Sequence, residues 1–280
     1  MATGILFTLD ARHEDKMKPV LPEGVKMRPG DEYDRRLPLS YKGQQNAFKT
    51  GRSIAGIPNN VDIIIIDRSD LVRTTMTAQH MLAGAGYDPD GKDGKSTIIW
   101  KPEDPRIGLA NGMDFQSGLP DYKPTLPEAD DYVKGMLRHF WTPQEGAEAS
   151  RPVASRVAYA LVDNRIRAIE ELLPEVRKGA TAFHLQFTHA PLIDSLDAAL
   201  FGTVRVDVEG QANFNEAIFP GHYAMGMSIR GETLGAVTDK NPHLEMVGRP
   251  FSQGRREVSY TLDGLRILRY NLQAVAERNY

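Results

Sequence analysis

The chain has 280 residues, no cysteine, a formal net charge of −3 and a pI near 6.2. Without cysteine there are no disulfides, thiolate nucleophiles or Cys-ligated zinc sites, and the redox compartment stays open. The charge gives no basic footprint for nucleic acid. No apolar run approaches the roughly 18 residues needed to span a bilayer, and Met1–Gly4 lacks a basic leader segment. A cytoplasmic protein with no membrane partner is the simplest expectation. Length and ordinary composition suit one α/β domain over residues 1–280, large enough to bury a full core.

In chain order, the first strand is expected over Ile5–Leu9, closing on Asp10-Ala11-Arg12-His13. Lys16 to Leu39 is rich in proline and charge without a clear period, and reads as an excursion from the first strand end. Ser40 is a suitable N-cap for a helix to Ile54 that turns Ala47, Phe48 and Ile54 inward. Val61–Ile66 is β-branched and nearly continuous, as in a strand buried on both faces. A helix follows over Leu71–Leu82, then a polar, turn-rich linker from Gly84 to Ser96 and a strand over Thr97–Trp100. Helices are expected over Glu128–Trp141 and Val153–Leu173, a strand over Phe183–Phe187, and a helix over Pro191–Phe201. From about residue 203 the pattern loosens into short β-like runs (Val204–Val208, Tyr223–Ile229, Val258–Leu262) before a helix over Leu268–Arg278. Alternating strands and helices predict a layered α/β sheet, with the last part as edge hairpins or a small lobe.

Three of these strand ends carry chemistry. Arg12-His13 closes the first, Arg73 follows the second at a helix start, and His189 closes the run Phe183–Thr188. In a parallel sheet such ends converge on one crevice. Two histidines and two arginines there form a cationic pocket with a nucleophile inside it, which suits a phosphoryl group. A neutral imidazole nitrogen can attack phosphorus and split one hard displacement into two easier ones. Arginine clamps the phosphoryl oxygens bidentately and stays charged, and a helix start adds N–H donors. A second histidine stabilises charge in the transition state. Taken singly, His13, Arg73 and His189 also fit plain surface or capping roles; their joint placement favours the site. His80, His139, His184 and His243 read as structural, and His222 is a second-tier candidate.

Four segments in order resemble the histidine phosphatase superfamily, in its phosphoglycerate-mutase-like branch. Arg12-His13-Glu14 resembles the Arg-His-Gly/Ala-Glu signature, and Leu39–Ala47 with Gly51 resembles the family's L-T/S-x-x-G-x-x-Q-A helix. Ser69–Ala78 resembles S-P/D-L-x-R-x-x-Q-T-A, and Thr188–Ile193 resembles S/T-H-G/A-x-x-I. The likeness spans residues 5 to about 201. It implies a three-layer α/β/α sandwich with a mixed, mainly parallel sheet. It further implies His13 as the phosphorylated nucleophile, Arg12 and Arg73 as phosphate clamps, His189 as the second histidine, and neither metal nor organic cofactor.

One position departs from the family. Its proton donor stands in a P-R-L-x-E context or directly after the second histidine, where this chain has Leu109 and Ala190. Asp114 is the first candidate for the missing acid, with Glu103, Asp104 and Glu128 as others, each also readable as a surface charge. The expected activity is hydrolysis of a small phosphomonoester or a phosphoprotein through a phosphohistidine intermediate. The alternative is a non-hydrolytic phosphate-binding or regulatory relative, and a phosphomutase ranks third. Lys16, Lys18, Arg35 and Arg36 could extend the pocket toward a polyanion, although a solvated loop is the simpler reading of them. Substrate identity and oligomeric state are not written in the sequence.

Overall fold

The computed structural model describes residues 5–24, 32–53, 60–108, 150–189, 192, 196, 199, 204–206, 212–214, 243–248 and 256–277. At positions 5, 7, 12, 150–156, 204–261 and 275–277 that description covers the main chain alone. The elements are β1 (Ile5–Arg12), α1 (Glu32–Arg36), α2 (Tyr41–Ser53), β2 (Ile63–Arg68), α3 (Val72–Gly84) and β3 (Thr97–Trp100). A 3-10 turn (Pro105–Ile107), α4 (Ser150–Arg177) and β4 (Thr181–Thr188) follow. Beyond these come β5 (Val204–Val206), β6 (Ala212–Phe214), β7 (His243–Gly248), β8 (Arg256–Thr261) and α5 (Leu262–Glu277).

β1 to β4 form one sheet in the order β1-β4-β2-β3, with all three pairings parallel. The expected mixed character is therefore absent from the described sheet; the antiparallel pairs β5–β6 and β7–β8 form separate two-stranded sheets. β4 is the last of the four in sequence and lies between β1 and β2. Seven of its eight residues are buried, because neighbours on both edges and helices on both faces exclude water. Both faces are covered, as in parallel sheets generally, although His184, Gln186 and Thr188 are polar residues among those buried.

Side chains alternate across the sheet. Leu9, Ala11, Ile64, Ile66, Phe183, Leu185 and Phe187 meet Ala47 of α2 and Ala78, Met81 and Leu82 of α3. On the opposite face Leu6, Ile65 and Ala182 meet Leu161, Ile166 and Ile169 of α4, with Leu262, Leu265 and Leu272 of α5 in the same core. Leu192, Leu196 and Ala199 are helical and join that core as well. Full burial of one such aliphatic side chain contributes roughly 1.5–3 kcal/mol. The result is a three-layer α/β/α arrangement.

The expected elements that fall on described residues are recovered with shifted ends. β1 runs three residues further than Leu9, since Asp10 and Arg12 pair on in the ladder with Gln186 and Thr188. Ser40 caps α2 as anticipated, its Oγ accepting from the Gly43 N–H at 3.0 Å. Phe48 corrects the expectation: it is 41% exposed, while Ala47 is wholly buried. The reason is close contact between α2 and α3. A Cβ on Gly51 would overlap the Met81 carbonyl oxygen, and one on Gly84 would overlap that of Phe48, so the helices lie too close there for an aromatic ring between them. The helix expected over Glu128–Trp141 and the run Tyr223–Ile229 lie outside the described residues.

The connections decide where the crevice falls. β1 and β2 lead into α2 and α3 on one face, whereas β4 is followed by Leu192, Leu196 and Ala199, which pack on the other. Chain paths therefore diverge at the carboxyl end of β4, the position where open α/β sheets bind ligands.

Candidate active site

Main-chain hydrogen bonds carry the ladder one step past the strands. The His13 N–H donates to the Thr188 carbonyl at 3.1 Å, and the Ser69 N–H to the Phe187 carbonyl at 3.1 Å. These bonds fix the residues after β1 and β2 on either side of Thr188-His189. His13 and His189 then meet edge to face, with ring centroids 4.8 Å apart and planes at 66°. His13 is half-buried and His189 only 2% exposed.

The tautomer of His13 follows from its partners. Nδ1 lies 2.7 Å from the carbonyl oxygen of Glu14, and a carbonyl only accepts, so Nδ1 carries the proton. Nε2 keeps its lone pair and accepts from Nε–H of Arg73 at 3.2 Å. The Glu14 N–H donates to Thr77 Oγ1 at 3.1 Å, which ties this turn to α3. Thr77 and Arg73 lie one helical turn apart, so one face of α3 supports both the loop that carries His13 and the arginine that meets its ring.

Arg73 is 1% exposed. Its NH1 donates to the main-chain carbonyl of Asp34 at 2.6 Å and its NH2 to Asp34 Oδ2 at 2.9 Å. Asp34 is itself fully buried, and Lys16 Nζ lies 2.5 Å from its other oxygen. On the far side of the pocket Ser69 Oγ lies 3.4 Å from His189 Nε2. Thr74 Oγ1 donates its proton to main-chain carbonyls of Leu71 and Ser69 and accepts from Ser69 Oγ. Ser69 Oγ is thus left to accept from His189 Nε2–H, at long range.

Three of the expected site residues, His13, Arg73 and His189, are brought together. Of Arg12 only the main chain is described, paired with Thr188. Asp114 and Glu128, like Leu109, Ala190 and His222, lie outside the described residues. Asp104 is corrected as a proton donor. Burial pushes its carboxyl up, but hydrogen bonds from the Arg106 guanidinium, the Asn164 amide and the Arg106 N–H outweigh this and hold it below the ordinary range. A carboxyl kept ionised has no proton to give. Glu103 is 53% exposed and faces Arg68 at 3.7 Å. Of the basic residues in the excursion, Lys16, Arg35 and Arg36 pair with Asp34, Asp70 and Glu32, and Arg35 and Arg36 stay exposed, as the simpler solvated-loop reading expects.

Sequence reasoning missed Asp34, which sits in a stretch without periodicity, and it quoted Thr77 only as part of the Ser69–Ala78 segment without assigning it a role. It also missed a polar layer between the sheet and α4. There Asp10 pairs with Arg165, both 1% exposed, and accepts from the Gln186 amide at 2.9 Å. His184 Nε2 lies 2.8 Å from Asp67 Oδ2 in the same layer. Asp10 and Gln186 each stand two residues before a pocket strand end, so this layer braces the strands that deliver Arg12 and Thr188.

No family model matches the chain, and no curated protein is similar to it in sequence. Solved structures similar to it include YhfR of Bacillus stearothermophilus, 17% identical with a TM-score of 0.42, covering 86% of this chain and 96% of that one. A phosphoglycerate mutase from Bacillus anthracis is 16% identical with a TM-score of 0.40, covering 72% and 82%. A mycobacterial glucosyl-3-phosphoglycerate phosphatase is 19% identical with a TM-score of 0.34, covering 71% and 80%.

Proposed function

We propose that this protein is a phosphatase of the histidine phosphatase type, hydrolysing a phosphomonoester through phosphorylation of His13. The observation that carries the reading is the state of the His13 ring: Nδ1 is committed to the Glu14 carbonyl and Nε2 holds a lone pair against the Arg73 guanidinium. Nε2 attacks phosphorus, an N–P bond forms, and the P–O bond to the leaving alcohol breaks. Water then attacks phosphorus, the N–P bond breaks, and inorganic phosphate leaves with His13 restored. Arg73, Arg12 and His189 supply positive charge and donors to the phosphoryl oxygens, where charge concentrates in both steps. Asp114 is the proposed donor of the proton that the leaving alkoxide needs.

The substrate class in this reading is a small phosphorylated metabolite or a phosphoprotein. Pairing of Lys16, Arg35 and Arg36 with carboxylates favours hydrolysis over a mutase, which must also hold a second phosphoryl group. A second reading, a non-hydrolytic phosphate-binding protein, draws on Leu109 at the acid position and on the ionised Asp104.

The experiment is rapid acid-free quench of the enzyme with a labelled phosphomonoester. An acid-labile, base-stable phosphoenzyme is expected, with none in His13→Ala; label persisting in that variant overturns the assignment. Turnover is expected to survive EDTA, and loss that a divalent metal restores overturns the metal-free mechanism.

A further inference from the structure

The segment between β1 and α2 reads in sequence as a charged loop, and most of α1 is exposed. Tyr33 is 52% exposed, and the side chains of Glu32 and Arg36 are 74% and 77% exposed. Asp34 alone of this helix is fully buried. Burying a carboxylate is costly unless it is paired and hydrogen-bonded, so its partners indicate what the burial secures. Among them are Lys16 on one oxygen and, on the other, Arg73, whose NH1 also binds the Asp34 main-chain carbonyl. The base of the excursion is closed by the Met17 N–H on the Pro38 carbonyl and the Ser40 N–H on the Asp15 carbonyl, each at 2.9 Å. Asp34 is therefore anchored from both ends.

We propose that Asp34 is a positioning residue that holds the Arg73 guanidinium by NH1 and NH2 so that its Nε–H stays on Nε2 of His13. This rests on the phosphatase reading only for its catalytic consequence. A guanidinium gripped at its two terminal nitrogens can neither rotate nor withdraw along its flexible stem. Its Nε–H rests on the nucleophile's lone pair. When that lone pair forms the N–P bond, Nε2 stops accepting, and the same N–H passes to a phosphoryl oxygen beside it. The donor is thus in place before charge develops, which is where preorganised donors gain their effect.

Only a carboxylate fits here. Lys16 and Arg73 are both donors, so Asp34 must offer an acceptor on each side. In Asp34→Asn one side becomes a donor facing a donor, and in Asp34→Ala both side-chain acceptors are lost. Asp34→Glu retains the carboxylate and should restore part of the grip.

Two measurements test this on the full chain. The first is the 15N–1H signal of the Arg73 Nε–H, assigned by its loss in Arg73→Lys. It is expected to be protected from solvent exchange in the wild type and in Asp34→Glu, and unprotected in Asp34→Asn and Asp34→Ala. Protection that persists in a folded Asp34→Asn overturns the proposal whatever the protein catalyses. The second is a double-mutant cycle on the rate of phosphoenzyme formation. Asp34→Asn is expected to slow the step about tenfold or more, and the Asp34→Asn/Arg73→Lys pair to be no slower than Arg73→Lys alone. Multiplying effects mean that Asp34 acts on general structure and not through Arg73. A wild type that forms no phosphoenzyme removes the phosphatase reading, while the exchange measurement still decides the role of Asp34.

Discussion

The Nε–H of Arg73 lies 3.2 Å from Nε2 of His13, so a fully buried cation rests on the imidazole nitrogen that keeps its lone pair. Two residues 60 positions apart share one hydrogen bond because β1 and β2 flank β4 in a parallel sheet and end at the same level. The contact leaves Nε2 neutral and directed, the state in which a histidine is a nucleophile.

Arg73→Lys keeps the charge and loses the planar fork. A lysine cannot serve His13 and both Asp34 acceptors at once. Turnover of an aryl phosphate is expected to fall about tenfold to thousandfold, the range for one lost or misplaced transition-state donor. Steady-state rates of purified variant and wild type decide this; equal rates would take Arg73 out of the site.

The proton donor is tested by a leaving-group series. With Asp104 held ionised and Leu109 at the usual acid position, Asp114 is the proposed donor. Asp114→Asn is expected to slow alkyl phosphates by about a hundredfold to ten-thousandfold while aryl phosphates, whose leaving groups need little help, change far less. A leaving-group dependence untouched by this substitution places the acid elsewhere.

Gly51 and Gly84 allow α2 and α3 to touch backbone to backbone, and α3 carries both Arg73 and Thr77. Alanine at either glycine must push the helices apart, with an expected cost of about 1–3 kcal/mol from overpacking. Denaturant unfolding measures this. An unchanged midpoint at both positions would show that the seam is loose.

Asp104 gives a pH-dependent contribution to stability. Its folded-state carboxyl sits below the ordinary value of about 3.9, so the folded protein binds the proton less readily than the unfolded chain. The contribution is fully present above about pH 4 and is lost as pH falls through the folded-state value. Asp104→Asn should therefore destabilise the protein at pH 7, by about 1–3 kcal/mol for a charged hydrogen-bond partner removed. The gap to wild type should narrow below pH 4. A gap that stays constant from pH 7 to pH 3 would mean that the charge of Asp104 contributes nothing.

The sequence by itself determined the elements whose signal is local. Val61–Ile66 announced a buried strand because both faces are apolar, and Ser40 announced a helix start because its hydroxyl caps Gly43. The same locality made His13, Arg73 and His189 legible, since each follows an apolar run. Other features needed three-dimensional contact. Phe48 and Ala47 are neighbours in an amphipathic pattern, and only the close α2–α3 approach decides that Phe48 faces outward. The ionised state of Asp104 depends on Arg106 and on Asn164, the latter 60 residues away in sequence. Asp34 is one acid among many in a charged stretch until Arg73, 39 residues on, and Lys16 close on it. Strand and cap propensities are properties of a few adjacent residues; burial, protonation and the grip on Arg73 arise from atoms that only folding brings together.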